Sequence, residues 1–195
     1  MDPQTREFYE ASAPRYTLSG TQRYSRHLDA FLDRLAAGAH ILELGCGAGR
    51  DSAQMAARGF AVDPTDGTAA MVAKARERFD LPARKMLFAE LNADRAYDAI
   101  WAHACLIHVP RAEVSGVLVA IRRALRPGGW HYASFKLGDG EGRDLLGRLH
   151  NFPDAEWIEA AYREAGFAIQ QREIFRGSGA DGTVRDWIAL NVRSE

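Results

Sequence analysis

Glu43-Leu44-Gly45-Cys46-Gly47-Ala48-Gly49 is the stretch in which residue type and spacing first point to chemistry. It ends a short apolar run, His40-Ile41-Leu42-Glu43-Leu44, and leads into Arg50-Asp51-Ser52, the start of a helical pattern. Strand, glycine loop and helix in that order aim main-chain N–H groups at a bound group, with no Cβ atoms in the way. A dinucleotide loop of the form G-x-G-x-x-G needs a sixth-place glycine for close packing of helix on strand. Arg50 stands there instead. The carboxylate of an amino-acid-bearing cofactor therefore suits this loop better than a pyrophosphate. Asp66 follows 21 residues after Gly45, at the tip of a second apolar run. A carboxylate in that place can accept two hydrogen bonds from the cis-diol of a ribose.

Other chemistry-bearing residues are weaker signals. His103, Cys105 and His108 do not have the spacing of common zinc sites, so no metal is expected. Lys136, Glu141, Arg143 and Asp144 lie in a glycine-rich segment after the fifth predicted strand, and loops at such strand ends are where open α/β sheets bind ligands. The planar fork of Arg143 suits a carboxylate or phosphate, which predicts a small, partly anionic substrate held by Lys136 and Arg143. Tyr9, Tyr16 and Tyr24 mark an N-terminal arm that docks, with Tyr16 placed to contact a ligand. Cys46 reads as a small buried residue that fits the loop, and Asp63 as a surface position.

The elements that must position these residues follow from periodicity. Apolar residues at Leu28, Phe31, Leu32 and Leu35 predict a helix over 24–35, ended by Gly38. Strands are expected at 40–44, 60–65, 84–88, 97–102 and 130–135, with helices over 50–58, 68–79 and 111–125 between them. Asp154 is placed to cap a helix over 154–165. Two final strands, 167–175 and 184–192, are joined by a short glycine-rich connection and so form an antiparallel pair at the sheet edge. Alternation of strands and helices implies a mostly parallel sheet covered on both faces.

The 195 residues carry 25 Lys+Arg and 26 Asp+Glu, a net charge of −1, with 47% hydrophobic residues. That is one globular domain, 1–195, with residues 1–22 as an arm expected to close a pocket. A near-zero charge with no basic stripe gives no reason to expect nucleic acid. No apolar run approaches the length of a membrane span, and MDPQTREFYE lacks the apolar core of a signal peptide. Two widely separated cysteines make no disulfide scaffold, so a cytoplasmic monomer or weak homodimer is expected.

Taken together, ELGCGAG, TDGTAAM, YDAIWAHACLIHVP and LRPGGWHYASF resemble four successive motifs of the class I S-adenosylmethionine-dependent methyltransferases. The likeness is close from Leu28 to Phe135 and looser beyond. It implies an α/β, Rossmann-like seven-stranded sheet of order 3-2-1-4-5-7-6, its last strand antiparallel, with helices on both faces. It implies S-adenosylmethionine as cofactor. In this reading Gly45, Cys46 and Gly47 lie under the methionine part, and Glu43 reaches its amino group. Asp66 binds the ribose, Gly67 makes room beside the adenine, and Leu87 and Phe88 wall it. Ala102 and His103 flank the sulfonium, with His103 the candidate general base. Many relatives carry an acidic residue directly after the third strand, and here the nearest is Glu90. The segment after the fourth strand lacks the Asn/Asp-Pro-Pro-Tyr/Phe and Pro-Cys motifs of DNA-base methylation, and two cysteines are too few for arsenite methylation. A small-molecule acceptor is the expectation that remains. A non-catalytic module that binds the cofactor, and a nucleotide-dependent oxidoreductase, are the alternatives.

Overall fold

The computed structural model describes residues 1–19 and 24–195, and leaves the side chains of residues 14–19 undescribed. Strand β1 (His40–Leu44) lies between β2 (Ala61–Asp66) and β4 (Tyr97–Ala102), parallel to both. β3 (Arg84–Lys85) extends the sheet beyond β2, and β5 (Leu125–Lys136) beyond β4. A small hairpin of β6 (Gly142–Arg143) and β7 (Leu149–His150) stands apart from this sheet. The last two strands are β8 (Phe167–Ser178) and β9 (Val184–Ser194). β9 runs antiparallel between β5 and β8, giving the order β3-β2-β1-β4-β5-β9-β8. With the hairpin set aside, this is the expected 3-2-1-4-5-7-6.

Helices cover both faces because the two faces carry different apolar sets. α2 (Leu28–Leu32) and α3 (Arg50–Ala57) bury Leu28, Phe31, Leu32 and Met55 against Ile41, Trp101 and Tyr132. On the other face α5 (Val114–Ala124) and α6 (Ala155–Glu164) pack Val117, Leu118, Ile121, Ile158 and Tyr162 on Leu42, Ile100 and Leu190. α4 (Ala69–Phe79) closes a smaller cluster of Cys46, Val72, Ala75, Leu81 and Ala83. The Asp154 carboxylate accepts from the Trp157 N–H at 2.8 Å, the expected cap of α6.

Three elements depart from periodicity. The helix expected over 24–35 narrows to α2, flanked by turns. The third strand pairs only at Arg84 and Lys85, because Phe88–Glu90 turns into a 3-10 helix. The arm forms helix α1 (Pro3–Ser19), which the sequence does not announce through any apolar stripe. Its first turn is nonetheless well built. The Asp2 carboxylate accepts from both N–H and hydroxyl of Thr5 at 2.8 Å, and Pro3 takes the first helical position.

Candidate active site

The glycine loop sits where the ends of β1, β2 and β4 meet. Gly45 has φ +70, and a Cβ there would fall 2.4 Å from the Cβ of Cys105, so only glycine lets the loop pass over the segment after β4. Gly49, at φ +83, would collide with Leu81 at 2.6 Å and with Ala75 at 3.0 Å. The close-packing role that the dinucleotide pattern gives to its sixth residue is thus filled one place earlier, by Gly49 against α4.

Three carboxylates surround this loop. Asp66, ending β2, accepts from the Gly47 N–H at 3.0 Å on one oxygen and from the N–H and hydroxyl of Thr68 on the other. Burial raises its pKa above the usual carboxylate value despite those bonds. Glu43, ending β1, is buried and accepts a hydrogen bond from Ser52. Burial, and then the negative charge of Asp51, push its carboxyl well above the ordinary range. Asp51, in the first turn of α3, accepts from Trp101 Nε1 and from the Ser25 N–H, both at 2.8 Å. The charges felt by Glu43 are those of Asp51 and Asp66, all of one sign. Among the described residues no lysine or arginine pairs with any of the three. The well attracts a positively charged ligand and disfavours a pyrophosphate.

The rest of the predicted set divides by where its side chains go. Leu87 lies beside Gly67, within 3.4 Å of where a Cβ would stand. Phe88 is half-buried against the core below. Glu90 turns back to accept from the Leu87 N–H at 2.7 Å, which closes the local 3-10 turn. Cys46 points into the small cluster on α4, so the loop offers its main chain there and not its thiol. Ala102 is fully buried among Leu42, Leu44 and Ile100, and only its backbone lies at the rim. His103 Nδ1 contacts Ser134 Oγ at 3.2 Å and Ser25 Oγ at 3.4 Å, leaving Nε2 as the ring atom able to reach a ligand. Burial lowers its pKa, so the ring is neutral at neutral pH. Tyr16 lies outside the described side chains.

Beyond β5 the geometry differs from the sequence expectation. Arg143 places its fork on Asp2, the residue that caps α1, at 2.9 and 3.1 Å, and on the Gly147 carbonyl at 2.8 Å. Lys136 is buried, 3.6 Å from Asp181, with its ammonium 5.7 Å from the Trp187 ring centre. The buried guanidinium here is Arg148, paired to Asp144 at 2.6 and 2.9 Å and donating to Tyr9 Oη at 2.7 Å. Tyr9 also meets His108 Nε2 at 2.9 Å, while His108 Nδ1 lies 2.7 Å from the Leu149 carbonyl. A carbonyl only accepts, so Nδ1 carries the proton and Nε2 accepts from the tyrosine hydroxyl. Sequence reasoning missed Glu10, Asp51 and Arg148, and weighed His108 only as a metal ligand. Only Asp51 had a local signal, as an acidic residue in the first turn after the glycine loop. Among the described residues no cluster of three His, Cys, Asp or Glu side chains has metal-holding geometry.

Comparison with known proteins bears on the fold that carries these residues. Residues 41–129 match the family model of a methyltransferase domain. No curated protein matches the sequence significantly. Among solved structures, an S-adenosylmethionine-dependent methyltransferase from Methanosarcina mazei superposes with a TM-score of 0.78 at 16% identity, over 88% of this chain and 98% of the other. A Burkholderia thailandensis 1,6-didemethyltoxoflavin-N1-methyltransferase, with that molecule and S-adenosylhomocysteine bound, gives 0.77 at 21% identity, over 98% and 87%. A Haloferax volcanii methyltransferase in complex with the Trm112 methyltransferase activator gives 0.75 at 18%, over 97% and 97%. By its strand order the chain has the fold of the class I S-adenosylmethionine-dependent methyltransferases, and its residues 41–129 match the methyltransferase-domain family.

Proposed function

We propose that this chain transfers a methyl group from S-adenosylmethionine to a small-molecule acceptor held between the ends of β4 and β5, the β6–β7 hairpin and α1. The observation that carries the cofactor half is the trio Glu43, Asp51 and Asp66, which no lysine or arginine among the described residues neutralises. Sulfonium and α-ammonium groups bring positive charge to this trio, whereas the phosphates of a nicotinamide dinucleotide bring more negative charge. Asp66 faces the ribose hydroxyls, and the loop from Gly45 to Gly47 lies under the methionine part. Gly67 and Leu87 flank the adenine. The cofactor supplies an activated methyl group whose positive charge disperses during transfer. What the protein adds is alignment and exclusion of water, an effect worth roughly 7–11 kcal/mol when geometry is good. His103, neutral and with Nε2 directed outward from its serine contacts, is the proposed base for an acceptor that must lose a proton.

A small acceptor is favoured because α1 lies across the site and is tied to both of its sides. The Burkholderia neighbour, with a small molecule and S-adenosylhomocysteine bound, supports the same reading. The outer strand β8 carries Gln170, Gln171, Arg172, Glu173 and Arg176, a charged edge that resists pairing with another chain and favours a monomer. Among the described residues no helix is long and apolar enough to cross a membrane.

Calorimetry with S-adenosylmethionine, S-adenosylhomocysteine and NADH tests the cofactor. Binding of the first two and not the third is expected, and the reverse result overturns the proposal. Release of S-adenosylhomocysteine in the presence of a metabolite panel then tests the acceptor class. Cofactor binding without turnover on any small molecule, but with turnover on a protein, would move the acceptor to the other class.

A further inference from the structure

Among the described side chains of α1, residues 3–13, the contacts to the body are mostly polar. The buried residues in that stretch are Thr5 and Ala13, so this part of the helix brings little apolar surface to the body. Asp2, Thr5 and Tyr9, three and four residues apart, share one face of the helix. Each finds a partner on the acceptor side. Asp2 takes the Arg143 fork, Thr5 Oγ1 accepts from the Leu149 N–H at 2.8 Å, and Tyr9 meets His108 and Arg148. Glu10 reaches the opposite side of the site. Its two carboxylate oxygens accept from the N–H groups of Ala69 and Ala70 at 2.9 Å, which satisfies the open first turn of α4 from another element. Just before α1, the Met1 sulfur lies 3.0 Å from the Cβ position of Gly67, against Leu87. Gly67 and Leu87 are the two residues that flank the adenine in the proposed cofactor site.

We propose that α1 is a polar strap whose seated form blocks the adenine subsite through Met1, so that Arg143, at the acceptor end, governs how fast the cofactor gains access at the other. The inference rests on the proposed cofactor site. Its physical basis is that a rigid helix transmits release at one anchor to the other. Asp2 both caps the helix and binds Arg143, so unlatching that ion pair also loosens the first turn and Met1 with it. Arg143 is 41% exposed along its side chain, so its hold on Asp2 is weakened by salt. Arg143 is thus a positioning residue and not one that grips the acceptor.

The experiment compares the full chain with Arg143→Ala and Glu10→Gln. Hydrogen exchange of the α1 amides reads seating without any ligand. Stopped-flow binding of S-adenosylhomocysteine reads access. Arg143→Ala is expected to speed exchange along residues 3–12 and to raise the association rate at least about threefold, the scale on which a partly exposed pair acts. Added salt should do the same to the wild type and less to the variant. Glu10→Gln, which removes the charge and replaces one of the two acceptor oxygens by an NH2 group that cannot accept from Ala69 or Ala70, should act in the same direction. If exchange and association rates stay within error of the wild type, the strap is refuted. Faster exchange with a slower or unchanged association rate shows that Met1 does not block the subsite, and also overturns the proposal. If no protein binds the ligand while exchange responds as expected, the cofactor site has been misassigned and the seating of α1 stands.

Discussion

The two ends of the site handle buried charge in opposite ways. Around the glycine loop, Glu43, Asp51 and Asp66 are brought together with no cation among the described residues to neutralise them. Around the β6–β7 hairpin the three buried or half-buried cations are each paired within the protein: Arg148 with Asp144, Lys136 with Asp181 and Arg143 with Asp2. Burying like charges costs stability unless something else compensates, so the first end is arranged for an incoming positive group. The second end is already compensated and is arranged to hold a shape. In the proposed reading one region binds the cofactor, and the other fastens the helix that lies across it.

Acid should separate the two most strongly. At the hairpin end, burial lowers the pKa of His108 to about 3 and of His150 to about 4. Their unfolded value is about 6.5, so between these limits the unfolded chain binds more protons. The stability that they hold above pH 6.5 is lost as pH falls, on the order of 2 kcal/mol for each ring at pH 5. Glu43 and Asp66 have raised values, so in the folded state they take up protons first and strain is relieved on acidification. Melting between pH 7 and pH 5, with hydrogen exchange resolved by segment, should show the hairpin and α1 loosening before the glycine loop. Loosening of the loop first would invert the comparison. For the same reason a cation bound at Glu43 must lower its pKa, so cofactor binding should release protons and weaken as pH falls. Calorimetry in buffers of different ionisation enthalpy checks this.

Arg148→Ala strands Asp144 in the interior and should destabilise the fold by about 3–5 kcal/mol, the usual result of removing one partner of a buried pair. Chemical denaturation measures it, and a loss below 1 kcal/mol would mean that this end is not internally compensated. Asp66→Ala should cost about 1.5–3 kcal/mol of cofactor affinity, the scale of hydrogen bonds to a charged group. Removing one of three like charges should leave the fold intact. Unchanged affinity in a folded variant removes Asp66 from the ribose site. The smallest effect is expected for Arg143→Ala on thermal stability, since an exposed ion pair contributes little there. A large drop in melting temperature would make Arg143 part of the core and not a latch.

The same contrast explains what was legible in the sequence. The glycine loop, Asp66 and the alternation of strands and helices are local patterns, set by steric needs a few residues apart, and they carried the mostly parallel sheet with its antiparallel edge pair, while the strand order came from the resemblance of the motifs to a known family. The hairpin end is built from contacts 99 to 144 residues apart, such as Tyr9 with His108 and Thr5 with Leu149. Nothing in the order of residues announces these. Arg143 and Arg148 look alike in sequence, and the turn from Asp144 to Gly147 decides which is buried. That turn folds Arg148 back onto its own Asp144, whose carboxylate also accepts from the Leu146 and Arg148 N–H groups. The aromatic residues of the arm announced that it docks, but not that it docks as a helix, because the described part of its seam, Asp2, Thr5 and Tyr9, is polar. Glu90 stands near the adenine position in sequence, but its side chain completes a turn instead.

The antiparallel insertion of β9 between β5 and β8 has a consequence for how the chain is made. A ribosome releases β1 to β5 well before residues 184–194, yet β5 gains its outer partner only from those residues. A nascent chain ending before Val184 therefore carries β5 as a bare edge, with Trp130, Tyr132 and Phe135 on a strand open to pairing with other chains. Protection of that edge during synthesis falls to chaperones or to speed. Substitutions that slow the closing of β9 should thus lower the yield of soluble protein more than they lower the stability of the finished molecule.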